Sequence, residues 1–352
     1  MPDRTSGLVV TLASAIVVFA ATVVLLLVFD HRVTSADAVR TGGLAGGAII
    51  ALYALWLNDR RRRVEEGRHD LERESNEQDR ERVADERFAR AVELLGHETD
   101  QVRVGGLHAL AALARNRPSY TQTVLDVLCS YLRRPFERPG PPSETASSEV
   151  ARDDAVDREH QVRLTAQRLI GQLLPAAEAV GEAFPDLDLT AAVLDYLDLS
   201  GRGMNHLVFR DARLHGTTRF VGARIDGDAT FTRASGLGRL DFADAEFGGR
   251  CGFHYLTAAD RVSFENVRFN QGVAFLHGEF NGPATFLNCT FDKSLDLRQT
   301  AFRSDLDLRA AMPSPVRPGA AGMTVSTDHE VRLPEGWTVQ TETDSVGKVR
   351  SP

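Results

Sequence analysis

The sequence predicts a mixed architecture of 352 residues: two N-terminal transmembrane helices, a charged helical stalk leading to a small α-helical module, and a C-terminal repeat solenoid. Three observations predict it. Two uncharged apolar runs lie near the N-terminus, a dense mixed-charge stretch comes after them, and beyond residue 184 Phe and Leu recur at a fixed interval that fits neither a helix nor a simple strand. The corresponding divisions are 1–58 for the spans, 59–95 for the stalk and 96–134 for the helical module. A flexible linker over 135–156, a helix with the solenoid's N-terminal cap over 157–183, the solenoid over 184–310 and a tail over 311–352 complete the chain.

Composition sets the limits. Apolar residues make up 43% of the chain, enough for a sizeable core, and the formal net charge of −8 excludes a wholesale nucleic-acid binder. Aromatic content is lopsided, with 18 Phe against 5 Tyr and 2 Trp. Three cysteines, Cys129, Cys251 and Cys289, are too few for a disulfide framework and offer no CxxC pair.

Gly7 to Phe29 and Thr41 to Leu57 are free of charge and predict spans over about 7–29 and 41–57, the second near the lower length limit. Tyr53 and Trp56 fall where an interfacial aromatic belt would lie. The block Arg60, Arg61, Arg62 and Arg63 predicts, by the positive-inside rule, that both termini are cytoplasmic, in a multi-pass protein of the bacterial inner membrane. A cleaved signal peptide is the alternative, and the first run is too long for its usual apolar region. Gly42, Gly43, Gly46 and Gly47 form two overlapping GxxxG pairs, which serve either packing between the two helices or homo-oligomerisation.

Between Asp59 and Arg90 stand 11 acidic residues and 10 arginines, the pattern of a solvated helix with i,i+4 pairs such as Asp59/Arg63 and Glu86/Arg90. Glu72 to Arg82 has no apolar residue from which to build a coiled-coil seam. Helical spacing then returns in Phe88, Val92 and Leu95, in Val102, Leu107, Leu110 and Leu113, and in Val124, Leu125, Leu128, Tyr131 and Leu132. Pro135 to Ser148 reads as a linker, and a fourth helix is expected from about Asp157 to Leu174. Gln101-Val102-Arg103-Val104 and Gln161-Val162-Arg163-Leu164, each with a small residue two positions on (Gly106, Ala166), are similar to the start of HEAT-type helical repeats.

From Phe184 apolar residues recur every five positions through Leu189, Leu194, Leu199, Met204, Phe209 and Leu214. The step then alternates between six and five, giving the eleven-residue ladder Phe220, Phe231, Phe242, Phe253, Phe264, Phe275, Phe286, Leu297 and Leu308. Ile225, Phe247, Phe269, Phe280, Phe291 and Phe302 are interleaved with it. A fixed period marks a solenoid, whose units bury their apolar faces only by stacking. Smaller residues, among them Ala212, Ala223, Ala229, Ala245, Cys251, Ala284 and Cys289, stand two positions before the large ones.

This alternation, with Asp nearby as in Asp186-Leu187-Asp188-Leu189, resembles pentapeptide-repeat proteins. The resemblance implies a right-handed quadrilateral β-helix of about six coils, each of 20–22 residues, with residues 22 apart stacked. Irregular coils are expected around Gly236 and Ala258. The helix ending near Leu174 is expected to cap one end and Trp337 the other, with the last dozen residues disordered.

Sequence fingerprints of enzymes are lacking: there is no GxxxxGK[ST], HExxH, GxSxG or dinucleotide motif. His254 and His277 could neighbour each other on adjacent coils, without a third ligand for a metal. The expected function is therefore a membrane-anchored, cytoplasm-facing scaffold. It would contact the lipid bilayer through residues 7–57 and an unidentified protein partner, with no cofactor and no catalysis. Two alternatives stand against it. Some relatives in the resembled family mimic DNA and bind gyrase, but 17 acidic and 14 basic residues over 184–310 leave a net of only −3 for such mimicry. The other alternative is an enzyme housed in the helical module.

Overall fold

Two-residue strands separated by tight corners dominate the C-terminal half of the computed structural model, which describes residues 4–29, 35–138, 147–179, 181, 183–310, 319–343 and 345–351. The chain divides into two compact units, Met1–Val83 and Ala84–Pro352. The helices are α1 (Arg4–Phe29), α2 (Ser35–Leu95), α3 (Asp100–Asn116), α4 (Thr121–Arg133) and α5 (Ser147–Leu173).

In the first unit, Gly46 of α2 lies under α1: a Cβ there would stand 3.4 Å from the Ala15 carbonyl oxygen and 3.6 Å from Phe19 Cβ. Gly43 and Gly47 face open space, and the surroundings of Gly42 lie outside what the structure describes. Among the described residues, which in α1 include side chains only over 10–25, no helix is long and apolar enough to cross a membrane. The spans expected at 7–29 and 41–57 are thus not found as such. The second apolar run and the charged stalk form one helix: α2 runs unbroken from Ser35 to Leu95. Its charged part consists largely of Glu and Arg, both strong helix formers, and Gly67 does not interrupt it. The side chains of Asp59 and Arg60–Arg63 lie outside the described residues. Arg90 pairs with Glu93, 2.8 Å away.

In the second unit the end of α2 packs with α3, α4 and α5. The buried residues include Ala91, Leu95, Leu107, Leu110, Val124, Leu125, Leu128, Leu132, Val162, Ala166, Leu169 and Ile170. Val92 is exposed; the contact stripe of α2 is Ala91 and Leu95, one helical turn apart. A Cβ on Gly106 would come within 2.9 Å of the Ala91 carbonyl oxygen, so the α2–α3 crossing requires glycine. The fourth helix begins ten residues before its expected start at Asp157, and 147–156 are helix rather than linker. Past the proline cluster nothing over 147–170 breaks a helix. Residues 139–146 lie outside the described residues.

The solenoid has four faces, each a parallel sheet that gains one strand per coil. The first coil advances by 20 or 21 residues (Leu187 beside Leu207, Gly203 beside Arg224), the following ones by 22 (Leu207 beside Ala229), and the last by 23 to 25 (Ala301 beside Thr324, Leu306 beside Val331). Five-residue steps lead from the first face to the second and from the third to the fourth. Six-residue steps make the other two corners. Two sides therefore take eleven residues, and the eleven-residue ladder splits into two columns on opposite faces, as expected from the stacking of residues 22 apart.

Phe209, Phe231, Phe253 and Phe275 stack on the first face with ring centroids 5.2, 4.8 and 4.7 Å apart. Phe220, Phe242, Phe264 and Phe286 stack on the third at 4.9, 4.8 and 4.9 Å. Between the two columns rings meet edge to face, as at 5.8 Å for Phe242–Phe253 and 5.4 Å for Phe253–Phe264, the geometry favoured by the ring quadrupole. The interleaved residues also separate: Ile225, Phe247, Phe269 and Phe291 line the fourth face, Phe280 and Phe302 the second. All of these residues, with Leu297 and Leu308, are at most 2% exposed, so the interior is packed with rings and has no pore.

The coils around Gly236 and Ala258 keep the 22-residue register, contrary to the irregularity expected there. Larger neighbours replace the missing volume. Leu240 Cδ1 lies 2.8 Å from where a Gly236 Cβ would be, and Leu256 is buried beside Ala258.

Corners follow two recipes. After the first and third faces a residue takes positive φ: Asp211, Arg233, Tyr255, His277 and Gln299 on one corner, Asp244, Asn266 and Asn288 on the other. Asn266 donates to Asp244 (3.0 Å) and Asn288 to Asn266 (3.2 Å), a side-chain ladder that suits residues tolerant of this backbone region. At the six-residue corners glycine recurs, because a Cβ on Gly238 or Gly249 would overlap the backbone of the preceding coil.

Both ends are covered. Gln122 of α4 brackets the first coil, accepting from Asp186 N (2.8 Å) and donating to Asp186 O (3.1 Å). Gly171 of α5 lies against the Asp198 carbonyl oxygen. At the other end Met323 and Val325 are buried, and Trp337 packs half-buried on the core after a turn in which Gly336 has φ +83°. The last dozen residues are not disordered where described: Thr338–Thr343 and Val346–Arg350 form a hairpin that extends the second face. Val349, 5% exposed and bonded through its N–H to Met323 O (3.1 Å), holds it there.

Candidate interaction surface

With the interior filled, the solenoid's chemistry lies on outward residues fixed in register. On the third face the outward column Asp198, Arg219, Asp241 alternates in sign, as does Arg224, Glu246, Arg268 on the fourth. Opposite charges facing each other across neighbouring strands favour this register. Pairs also form between a strand residue and one just beyond the strand, Arg224–Asp226 at 2.7 Å, Arg239–Asp241 at 2.9 Å and Arg298–Asp296 at 2.7 Å, and along the first corner, Arg233–Asp211 at 2.6 Å. His277 stacks on Tyr255, centroids 4.8 Å apart, rather than meeting His254. Among the described residues no group of three or more His, Cys, Asp or Glu is placed to hold a metal ion.

Several carboxyls titrate below their usual range. The Arg298 guanidinium beside Asp296 and that of Arg309 beside Asp307 outweigh the opposing effect of burial. For Asp188 and Asp198 partial burial acts upward, but hydrogen bonds from Thr190 and Ser200 and nearby arginines overcome it. A lowered folded-state value means stability that is complete above the unfolded value near pH 4 and lost as pH falls through the folded values. Urea midpoints followed by circular dichroism should therefore decline between about pH 5 and pH 3.

The three cysteines are free and buried. Burial pushes Cys129 and Cys289 up to about 12 and raises Cys251 as well. Cys289 Sγ also donates to Phe264 O at 2.6 Å. Since the thiolate is the nucleophile, iodoacetamide at about pH 8 should modify none of them in the folded protein and all after denaturation, as read by mass spectrometry.

Sequence reasoning missed the polar network under the N-terminal cap. The shared phrase in α3 and α5 brings Arg103 and Arg163 to one carboxylate, Glu159, which pairs with Arg103 and accepts from the Tyr131 hydroxyl at 3.0 Å. Arg163, 1% exposed, donates to Leu132 O and lies 4.7 Å over the Phe136 ring. It thereby serves the carbonyls at the C-terminus of α4. Beside it the buried Asp195 carboxylate meets His160 (3.1 Å) and Arg138 (2.9 Å), while its N–H donates to Gln167 (3.0 Å). A cleft of about 480 Å³ between α5 and the first coil is lined by Arg168, Gln172, Tyr196, Asp198 and Arg202, among others. The repeated Gln-Val-Arg phrase was the available signal; the partners, up to 56 residues away, were not readable.

A stacked four-sided coil with a ring-filled interior and outward side-chain ladders defines a repeat protein of the β-solenoid class. A family model for pentapeptide repeats (nine copies) matches residues 209–257, and the same geometry extends to both sides of that segment. The chain is a pentapeptide-repeat protein. Searches of curated proteins and of solved structures gave no match.

Proposed function

We propose that this protein is a non-catalytic scaffold that holds a rigid binding surface at the cytoplasmic side of the bacterial inner membrane. The packed interior carries the reading. Aromatic columns occupy the centre of the solenoid, and the outward side chains stand on strands whose spacing the hydrogen bonds between coils fix. A preordered surface loses little conformational entropy on binding, which favours recognition of another protein.

Anchoring is supported by the first unit, where Val10, Leu12, Ile16, Val17, Leu44, Leu52, Leu55 and Trp56 are all more than half exposed. An apolar surface of that extent suits lipid better than water. The arginines at 60–63 support cytoplasmic placement of the chain beyond them. Deleting residues 1–57 should move the protein from the membrane pellet to the soluble fraction. Continued pelleting of that variant, with its fold confirmed by circular dichroism, contradicts the anchor.

A further inference from the structure

Among the described residues of the solenoid, 184–310, three large apolar side chains are exposed: Tyr196 at 63%, Leu237 at 49% and Tyr255 at 54%. All three lie on the second face or its margins, as the register of that sheet shows. Leu237 projects from the second face, and Tyr255, held by its stack on His277, stands at the corner leading into it. Ser235, Thr257 and Ala259 complete a tile of uncharged side chains, bordered by the exposed Asp260 and by the Arg233–Asp211 pair at Tyr255's corner, in contrast to the alternating charges of the third and fourth faces. Such a tile, free of charge and bearing a fixed tyrosine, has the composition of an interface centre.

The rims of the tile differ. Toward the C-terminal end Glu279 is paired with Arg303 at 3.4 Å. Toward the N-terminal end Arg210 and Arg213 are exposed, and among the described residues neither makes an ion pair, although Asp211 between them is bound by Arg233. The surface thus has an apolar centre and, toward its N-terminal side, the guanidinium of Arg213 on the second face with that of Arg210 at the end of the first face, neither in an ion pair among the described residues and one or two coils away, about 5–10 Å at the spacing of neighbouring strands.

We propose that the second face is the docking surface for a protein segment whose apolar side chains cover Leu237 and Tyr255 and whose acidic side chain reaches Arg210 and Arg213. The proposal rests on the scaffold reading and names the face and the partner's chemistry. A second copy of this chain and a lipid surface are the competing occupants.

The test places a benzoylphenylalanine photo-cross-linker in the full-length chain in native membranes, at 237, at 255 and, on the third face, at 287. Positions 237 and 255 should give the same protein adduct and 287 none, with the cross-linked segment, sequenced by mass spectrometry, carrying apolar residues beside Asp or Glu. Arg210→Glu with Arg213→Glu should lower the adduct yield about fivefold or more, as expected for opposing a charge at an interface rim. Adducts from 287 alone, adducts with a second copy or with lipid, or yields indifferent to the charge reversal overturn the proposal. Absence of a protein adduct from positions spread over all four faces refutes the scaffold reading instead.

Discussion

Phe253→Ala lowers the unfolding free energy by about 3–5 kcal/mol. Phe253 is stacked between Phe231 and Phe275 at 4.8 and 4.7 Å and meets Phe242 and Phe264 edge on. Truncation removes ring contacts on all these sides and leaves a cavity that the coils cannot collapse to fill, because backbone hydrogen bonds such as Phe231 N–Gly252 O and Phe253 N–Ala274 O, both 2.7 Å, fix their spacing. Thr285→Ala, an outward change on the third face, should cost under about 0.5 kcal/mol. Urea unfolding of the full-length chain distinguishes them: similar midpoints for the two variants contradict a ring-packed interior.

Arg163→Leu should cost about 3 kcal/mol, the size expected when one member of a buried, hydrogen-bonded charge network is removed. The substitution preserves apolar bulk but frees the Leu132 carbonyl and removes the cation from the Phe136 ring and from Glu159. Because α4 and α5 cover the first coil, the damage should spread to the solenoid's start. Amide exchange should rise over 187–199 before it rises over 262–297. Arg168→Ala, on the exposed side of α5, should leave both stability and exchange unchanged.

The interior of the solenoid was readable because stacking imposes a period, and a period survives in a single sequence. Stacking of residues 22 apart already separates the ladder into two columns, Phe220 to Leu308 and Phe231 to Leu297, and the rings stack that way. The filling of the weak coils was less readable. Gly236 and Ala258 looked like defects because a position-by-position reading misses compensation by Leu240 and Leu256. The C-terminal hairpin did have a local signal, the β-branched run Thr338, Val339, Thr341 and Thr343 before Asp344-Ser345, masked by its polarity. The cap network had no comparable signal beyond the repeated Gln-Val-Arg, since Arg103, Tyr131, Glu159 and Arg163 meet only when three helices are assembled.

The most direct test of the four-sided coil is a pair of engineered disulfides in the full-length chain. Glu246 and Arg268, 22 residues apart, are register partners on the fourth face, whereas Thr257, 11 residues from either, lies on the opposite, second face. Glu246→Cys with Arg268→Cys should cross-link under mild oxidation, and Glu246→Cys with Thr257→Cys should not, since a disulfide requires Cα atoms within about 7 Å. Cross-linking of the second pair, or failure of the first, contradicts a solenoid wound in 22-residue turns around stacked phenylalanine rings.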